Sequence, residues 1–359
     1  KRKRLLHHQK YQRIGSVAMK LTIRQIAELA GVSVTTVSQI LNNKGSRFSE
    51  DTRKRVLDIV NEHQYRPDFF ASNLINRHSK TIGMIIPDVT DFFFSKMVEG
   101  AENYLTPLGY KLILCHSQQS LAKETQLLQD LNHRSVDGVL LATPNLMPEG
   151  YAYGSDFYRK MPLVLIDRGI NQRDTGRLII KEYEGAYQAV SYLAQQGHRH
   201  IALLKENGSY YQLQERYNAY RHALKDAGIP YKKHYVATED LTINGGYQAA
   251  KAILANPEVT AIFCSNDAMA IGCYRAIYEL GKKVPEEISV IGFDDIELTA
   301  SLAPALTTVQ QPIFEIGFTA AKFLVDAIEF PERRMPNKIF ETKLILRESV
   351  NKTTKSPSS

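Results

Sequence analysis

The hydrophobic residues follow a helical spacing between residues 21 and 60. In LTIRQIAELAGVSVTTVSQILNN, apolar side chains recur every three or four positions, as they do on the buried face of a helix. Thr22 followed three residues later by Gln25 is a capping box. Gly31 stands where a helix ends in a left-handed residue, and Ser33 can cap a second helix. The pattern predicts two helices of about eight residues each, joined by a tight turn, with a third helix after Ser49.

After residue 80 the pattern changes to short, continuous apolar runs, each of which ends in polar residues. Buried parallel strands that alternate with helices look like this, so the runs predict an α/β domain over 81–350 with two doubly wound lobes. Ligands of such folds bind at the carboxyl ends of the strands. Among the carboxylates found there, Asp267 and Asp295 are expected to cap the helices that follow them. The predicted strands cover 81–88, 111–117, 138–144, 162–168, 200–206, 261–267 and 289–295.

The composition narrows the class of protein. The chain has 359 residues, 43% of them hydrophobic, which is typical of two or three globular domains. No apolar run is long enough for a transmembrane helix, and the basic N-terminus lacks the apolar stretch of a signal peptide, so we expect a cytoplasmic protein. Three cysteines without a CxxC pair favour neither a disulfide framework nor a zinc site. Residues 1–18, upstream of Met19, and residues 351–359 are expected to be disordered.

The positive charge is concentrated in the first fifth of the chain. Residues 1–80 hold 16 Lys and Arg against 6 Asp and Glu, whereas the remainder holds 29 against 32. A basic module joined to a slightly acidic body is typical of a nucleic-acid-binding protein. The alternative for such a basic segment is a solvated tail.

On this interpretation residues 19–64 form an all-α helix-turn-helix domain, whose second helix enters the major groove of DNA. Val34, Thr35 and Gln39 are then placed to face base edges, while Thr36 and Ser38 can reach phosphates. A plain helical hairpin with solvated Thr and Ser side chains is the alternative. The candidate DNA contacts in this region are Thr22, Val34, Thr35, Thr36, Ser38, Gln39 and Asn42.

The run TIRQIAELAGVSVTTVSQILNN, the third helix and the segment YRPDFFASNLINRHSKTIGMIIPD resemble the LacI/GalR family of bacterial repressors. The resemblance implies a homodimer and a hinge helix in the linker 65–80. In that family a hinge leucine wedges into the minor groove, and Leu74, with Ala71 beside it, stands at that position; wedging of this kind kinks the duplex. The position of Gln39 often holds Arg or His in the family. Glutamine prefers adenine, whereas arginine reads guanine.

Residues 81–350 resemble a periplasmic sugar-binding protein, as the effector domain of this family does, and the ribose branch fits best. The resemblance implies that carboxylates, Arg and Asn bond the sugar hydroxyls while aromatic rings cover its apolar face, which suits a neutral polyol. Asp91 replaces the usual Asn, and Leu241 stands near the usual stacking aromatic. The implied effector contacts are Asp91, Phe93, Phe94, Asp167, Arg168, Arg216, Leu241, Asn266, Asp294 and Gln311.

The function expected from these features is that of a DNA-binding repressor of a sugar-utilisation operon, released by a small sugar, with ribose as the first candidate. The sequence contains no GxxxxGK[ST], GxGxxG, GxSxG or HExxH motif, so we expect no enzyme, no cofactor and no metal site. A regulator with another effector (a different sugar, a purine or a phosphoprotein co-repressor) is the alternative. A sugar-binding transport protein would leave residues 19–80 without a role.

Overall fold

The computed structural model describes residues 21–41, 45–65, 78–143, 161–166, 176–207 and 211–353. The chain divides into two compact units, residues 1–79 and residues 80–359. No helix among the described residues is long and apolar enough to cross a membrane. The expected disorder of residues 1–18 and most of the predicted hinge helix lie outside these ranges.

The first unit is built from three short helices around one small core. They are α1 (Ile23–Ala30), α2 (Val34–Leu41) and α3 (Glu50–Glu62). The capping box is present: the Gln25 backbone N–H donates to Thr22 Oγ1, and the Thr22 N–H donates to Gln25 Oε1 at 2.8 Å. The predicted helix-turn-helix is therefore confirmed. Its core consists of Ile26, Ala27, Ala30, Val37, Ile40 and Val56.

The turn between α1 and α2 also follows the sequence prediction. Gly31 ends α1 with a φ of +64°, in the left-handed region that glycine adopts without strain. Ser33 Oγ accepts a hydrogen bond from the Thr36 backbone N–H at 3.1 Å and so satisfies an otherwise unpaired donor at the start of α2. Ser49 caps α3 in the same way.

The second unit consists of two lobes, each with a six-stranded sheet and helices on both faces. The first lobe has the strand order β11-β5-β4-β3-β1-β2 and the second has β12-β10-β9-β8-β6-β7. All pairings are parallel except that of β12 with β10. The strands of the second unit are β1 (Thr81–Ile86), β2 (Lys111–His116), β3 (Gly138–Ala142), β4 (Leu163–Ile166), β5 (Gly176–Ile180), β6 (Ile201–Glu206), β7 (Val236–Glu239), β8 (Ala261–Cys264), β9 (Ser289–Asp294), β10 (Thr307–Gln310), β11 (Asn337–Phe340) and β12 (Lys343–Ile345).

The helices of this unit shield the two faces of each sheet. In the first lobe, α4 and α10 cover one face and α5 the other, whereas α6 and α7 pack opposite α8 and α9 in the second lobe. The chain passes between the lobes at 180–182, 310–313 and 340–343. The helices are α4 (Phe92–Leu105), α5 (Leu121–His133), α6 (Glu182–Gln195), α7 (Tyr211–Asp226), α8 (Ile243–Leu254), α9 (Asp267–Glu279) and α10 (Ile313–Glu329).

The seven predicted strands are present as β1, β2, β3, β4, β6, β8 and β9, and the two-lobed parallel fold is confirmed. Five further strands, β5, β7, β10, β11 and β12, were not predicted. The expectation that Asp267 and Asp295 cap helices is wrong. Asn266 caps α9, while Asp267 accepts from Thr308 Oγ1 at 2.6 Å and Asp295 pairs with Arg347 at 2.7 Å.

Candidate DNA-recognition helix and effector cleft

Helix α2 keeps its apolar residues Val37 and Ile40 in the core and exposes the opposite face. Val34, 39% exposed, and Thr35 lie on this free surface. Val34 does not belong to the core of the first unit, and its exposed part is available to a partner surface. This face is the candidate recognition surface.

Two hydroxyl groups of the predicted set, those of Thr22 and Thr36, already have partners. Thr36 Oγ1 bonds Ser33 Oγ at 2.9 Å, and the Thr22 hydroxyl belongs to the capping box of α1. Both residues therefore have a structural role, and their contact with DNA remains a prediction. The candidates Asn42, Ala71 and Leu74 lie outside the described residues.

Sequence reasoning missed one residue beside α2. Arg47, in the turn that leads into α3, donates a hydrogen bond to Gln39 Oε1. The two residues are eight positions apart and on different elements, and Arg47 falls in no repeating pattern. Only its place close after a recognition helix could have drawn attention to it.

A cavity of about 360 Å³ lies between the lobes of the second unit, at the carboxyl ends of strands from both sheets. Side chains from the starts of α4, α8 and α9 and from the ends of β1 and β9 converge there, as parallel strand topology predicts. The cavity brings together five of the predicted effector residues: Asp91, Phe94, Leu241, Asn266 and Asp294.

Other predicted effector residues lie elsewhere. Phe93 is 9% exposed and belongs to the core of the first lobe, because successive residues of α4 point in different directions. Phe92, which was not predicted, lines the cavity instead and is 50% exposed. Asp167 and Arg168 lie outside the described residues.

Asp294, the last residue of β9, is held by polar partners behind the cavity wall. Gln311 Nε2 donates to Asp294 Oδ1 at 2.6 Å, and a guanidinium nitrogen of Arg216 lies 3.7 Å from the same oxygen. Burial raises the pKa of Asp294 well above its ordinary value, against the opposing effect of Arg216. Gln311 and Arg216 thus position the carboxylate and are not among the residues that line the cavity.

Arg216, on α7 of the second lobe, is 5% exposed, and its N–H groups donate to other residues of the same lobe. Its Nε donates to Glu182 Oε2 at 2.5 Å, its Nη1 donates to the carbonyl oxygen of Ser265, and its guanidinium carbon lies 3.7 Å from the centre of the Phe293 ring. Glu182, at the start of α6, was not predicted. A lone glutamate at the first position of a helix carries no signal that it will meet an arginine 34 residues later.

Three buried oxygens around this network have no hydrogen-bond partner among the described residues. They are Glu182 Oε1, Glu206 Oε2 and Gln311 Oε1. Burial also raises the pKa of Glu206, and Lys205 and Arg216 oppose that effect. The network behind the cavity wall is therefore rich in acceptors.

The first lobe contributes two further carboxylates to the cavity. Asp91 Oδ1 accepts from the Phe93 N–H at 2.9 Å and caps α4, and Asp88 Oδ1 accepts from the Thr90 N–H. Burial raises the pKa of Asp91, and the hydrogen bond from the Phe93 N–H opposes that rise. With Asp294, three carboxylates face the cavity, and among its described lining residues there is no Lys or Arg.

Asn266 and Leu241 close the cavity from the second lobe. Asn266 Oδ1 accepts from the Met269 N–H at 2.9 Å as the cap of α9, and its Nδ2 donates to the Leu241 carbonyl oxygen at 3.3 Å. Leu241, a predicted effector contact, offers an aliphatic surface, while Phe92 and Phe94 supply rings from the opposite lobe.

Known proteins match the chain in both units. Residues 22–68 match the family described as bacterial regulatory proteins, lacI family, and residues 190–350 match the periplasmic binding protein-like domain. The HTH-type transcriptional repressor PurR of Vibrio vulnificus is 33% identical over 341 residues, which cover 92% of this chain and 99% of that protein. The ribose operon repressor of Haemophilus influenzae is 33% identical over 331 residues, 92% of this chain and 98% of that protein.

A solved structure extends the similarity to three dimensions. A LacI family transcriptional regulator from Enterococcus faecium with bound ribose is 31% identical and superimposes with a TM-score of 0.70, covering 76% of this chain and 100% of that one. The resemblance seen in the sequence is thereby confirmed. The chain belongs to the LacI family of bacterial transcriptional regulators.

Proposed function

We propose that this chain represses transcription by binding operator DNA through α2 and leaves the operator when a small uncharged sugar, ribose in the first place, enters the cleft. The observation that carries the effector proposal is the cavity of about 360 Å³ with three carboxylates and two phenylalanine rings. Its volume is near the lower end of the range for small-molecule pockets, roughly 300–1,000 Å³. A monosaccharide suits that size better than a large ligand.

The charge of the cavity favours a neutral ligand. Carboxylates accept hydrogen bonds from sugar hydroxyls, and bonds to a charged acceptor are the stronger kind. A phosphorylated sugar would meet Asp88, Asp91 and Asp294 with no Lys or Arg among the described lining residues to balance its charge. The ribose bound to the Enterococcus faecium regulator supports the same ligand class.

A purine is the second candidate. PurR of Vibrio vulnificus and the ribose operon repressor of Haemophilus influenzae are equally similar to this chain, at 33% identity. A planar base could lie against the exposed ring of Phe92 or the ring of Phe94, because aromatic faces stack on nucleobases and apolar sugar faces alike.

The mode of DNA binding follows from the family. We infer a homodimer on a pseudo-palindromic operator, since a two-fold symmetric protein matches a two-fold symmetric site. Exposed apolar side chains at the end of α9 in the second lobe, Tyr278 at 47% and Leu280 at 48%, suit a surface that a second copy covers. Leu74 is proposed as the minor-groove wedge, and the cytoplasm, where the chromosome lies, as the place of action.

Isothermal titration calorimetry tests the effector proposal. The full chain is titrated with ribose, other pentoses and hexoses, hypoxanthine, guanine and ribose 5-phosphate, and operator release is followed by fluorescence anisotropy. Asp294→Asn removes a charged acceptor from the cavity and should weaken sugar binding roughly tenfold or more. Asp295→Asn is the matched control, because Asp295 pairs with Arg347 and does not line the cavity.

Each outcome has a distinct meaning. Ribose binding that releases operator and is lost in Asp294→Asn alone supports the proposal. Tighter binding of hypoxanthine or guanine than of any sugar would identify a purine as the effector. Tightest binding of ribose 5-phosphate would contradict the argument from charge.

A further inference from the structure

The candidate recognition helix α2 is in contact with Arg47, a cationic residue outside the helix. The guanidinium group of Arg47 donates a hydrogen bond to the side-chain oxygen of Gln39, on the exposed side of α2. Gln39 is half-buried, whereas Arg47 is exposed. Both side chains therefore lie at the surface that the proposed function turns toward DNA.

The turn that carries Arg47 is packed directly against α2. Gly45 is buried, and a Cβ at this position would lie 3.1 Å from both the Cα and the Cγ1 of Ile40. The Phe48 backbone N–H donates to the Gly45 carbonyl oxygen at 3.0 Å, and the Phe48 ring packs on the core of the first unit. The backbone on both sides of Arg47 is therefore fixed relative to the last turn of α2.

The Arg47 side chain is held at two places. Its guanidinium carbon lies 5.0 Å from the centre of the Phe48 ring, within the range of a cation–π contact, while its Nη2 reaches Gln39. An arginine stacked on a ring that is itself packed loses little additional freedom when it bonds to a neighbour. The pair is thus a fixed part of the surface of the first unit.

The chemistry of the pair fixes the orientation of the amide. A guanidinium group has only donors, so Gln39 must present its oxygen to Arg47, and its NH₂ group points away with two N–H donors that bond to none of the described residues. The bidentate contact of glutamine with adenine needs the amide oxygen to accept from adenine N6 while the NH₂ group donates to N7. In this protein the cation of Arg47 already donates to that oxygen, so the N6 hydrogens of adenine would compete with it for the acceptor and would approach a positive group.

Guanine offers the complementary edge. Its major-groove atoms N7 and O6 are both acceptors, and they match the donors that Gln39 and Arg47 present together. We propose that Arg47 is a positioning residue for Gln39 that converts its preference from adenine to guanine. This inference rests on the proposed function, in that α2 must read the operator.

The experiment selects operators from a randomised pool of duplex DNA with the full chain and with Arg47→Met, Arg47→Lys and Gln39→Ala. The position read by Gln39 is the one at which Gln39→Ala loses its discrimination. At that position the wild type should prefer guanine to adenine by about tenfold, which corresponds to about 1.4 kcal/mol. Arg47→Met should prefer adenine there, and Arg47→Lys, which keeps a cationic donor, should retain part of the guanine preference.

Arg24→Met is the matched control, because it removes one exposed cation from α1 of the same unit. It should weaken all duplexes alike without changing base preference, and circular dichroism checks that each variant is folded. A wild-type preference for adenine, or an Arg47→Met variant that loses affinity for guanine and adenine duplexes equally, would overturn the inference and leave the repressor assignment intact. A pool from which the wild type enriches no sequence would overturn both.

Discussion

The buried arginine of the second lobe allows a quantitative test of the cleft network. Arg216 forms a 2.5 Å hydrogen bond to Glu182 and lies 3.7 Å from Asp294, and all three side chains are less than 10% exposed. Arg216→Met keeps an unbranched apolar side chain over the Phe293 ring but leaves two buried carboxylates without their cation. Removal of one partner of a buried ion pair costs about 3–5 kcal/mol. The free energy of unfolding should fall by that amount.

An exposed ion pair of the same type is the control. Arg275 pairs with Glu279 at 2.9 Å on the surface of α9, with side-chain exposures of 64% and 43%. Water solvates both groups when the pair is broken, so exposed pairs contribute little to stability. Arg275→Met should therefore lower the free energy of unfolding much less than Arg216→Met does.

Urea unfolding followed by far-UV circular dichroism measures both variants, because the chain contains no Trp. Glu182→Gln combined with Arg216→Met should recover part of the loss, since it removes one of the two stranded charges. If Arg216→Met and Arg275→Met shift the unfolding midpoint equally, the carboxylates are not held by Arg216 in the folded protein and the network described here is wrong.

Three further substitutions test other parts of the fold. Thr22→Ala should lower the melting temperature of the first unit by removing the α1 cap, at a cost of about 1 kcal/mol, while Thr22→Ser should not. Burial raises the pKa of Asp267 to about 7 in the folded protein, above its ordinary 3.8. The folded state thus binds the extra proton, and its stability falls as pH rises from about 4 to about 7. Urea unfolding across this pH range should show that the free energy of unfolding decreases less with pH in Asp267→Asn than in the wild type. Gly272→Ala would place a Cβ 1.9 Å from the Ile243 carbonyl oxygen, so calorimetric melting should reveal a loss of at least about 1–3 kcal/mol as α8 and α9 separate.

Six of the seven strands that the sequence predicts are buried on both faces, and β2, at the edge of the first sheet, is the exception. The run TIGMII of β1 is buried at every position, and such a run is readable without knowledge of the fold. Strand β10 (TTVQ) is also buried at its first three positions, yet its sequence is polar. The Thr307 hydroxyl accepts from the Arg347 backbone N–H, and the Thr308 hydroxyl donates to the Asp267 carboxylate; both partners are at least 40 residues away along the chain. No local pattern shows that such partners exist.

The residues of the candidate cleft could likewise be predicted only in part from the sequence. Asp91, Asn266 and Asp294 could be found because strand ends and helix starts converge at one edge of a parallel sheet. In the run of three phenylalanines at 92–94, by contrast, the sequence does not tell which ring faces the core. Each residue turns about 100° around a helix, so the three rings differ in burial: one is buried, one is half-buried and one is exposed. The structure assigns the inward position to Phe93.

The two lobes contribute to the cleft in different ways, which bears on how a ligand could switch the protein. Asp294 is already oriented by Gln311 and Arg216 within the second lobe, so a ligand that contacted it alone would bind the open and closed cleft equally. Only contacts that differ between the two states shift a conformational equilibrium. Those must come from the first lobe, where Asp91 and Phe94 approach the same cavity. Under the proposed function, the second lobe supplies affinity for the effector and the first lobe supplies the difference in affinity between the two states. Because such coupling is reciprocal, the factor by which an effector changes operator binding equals the factor by which the operator changes effector binding.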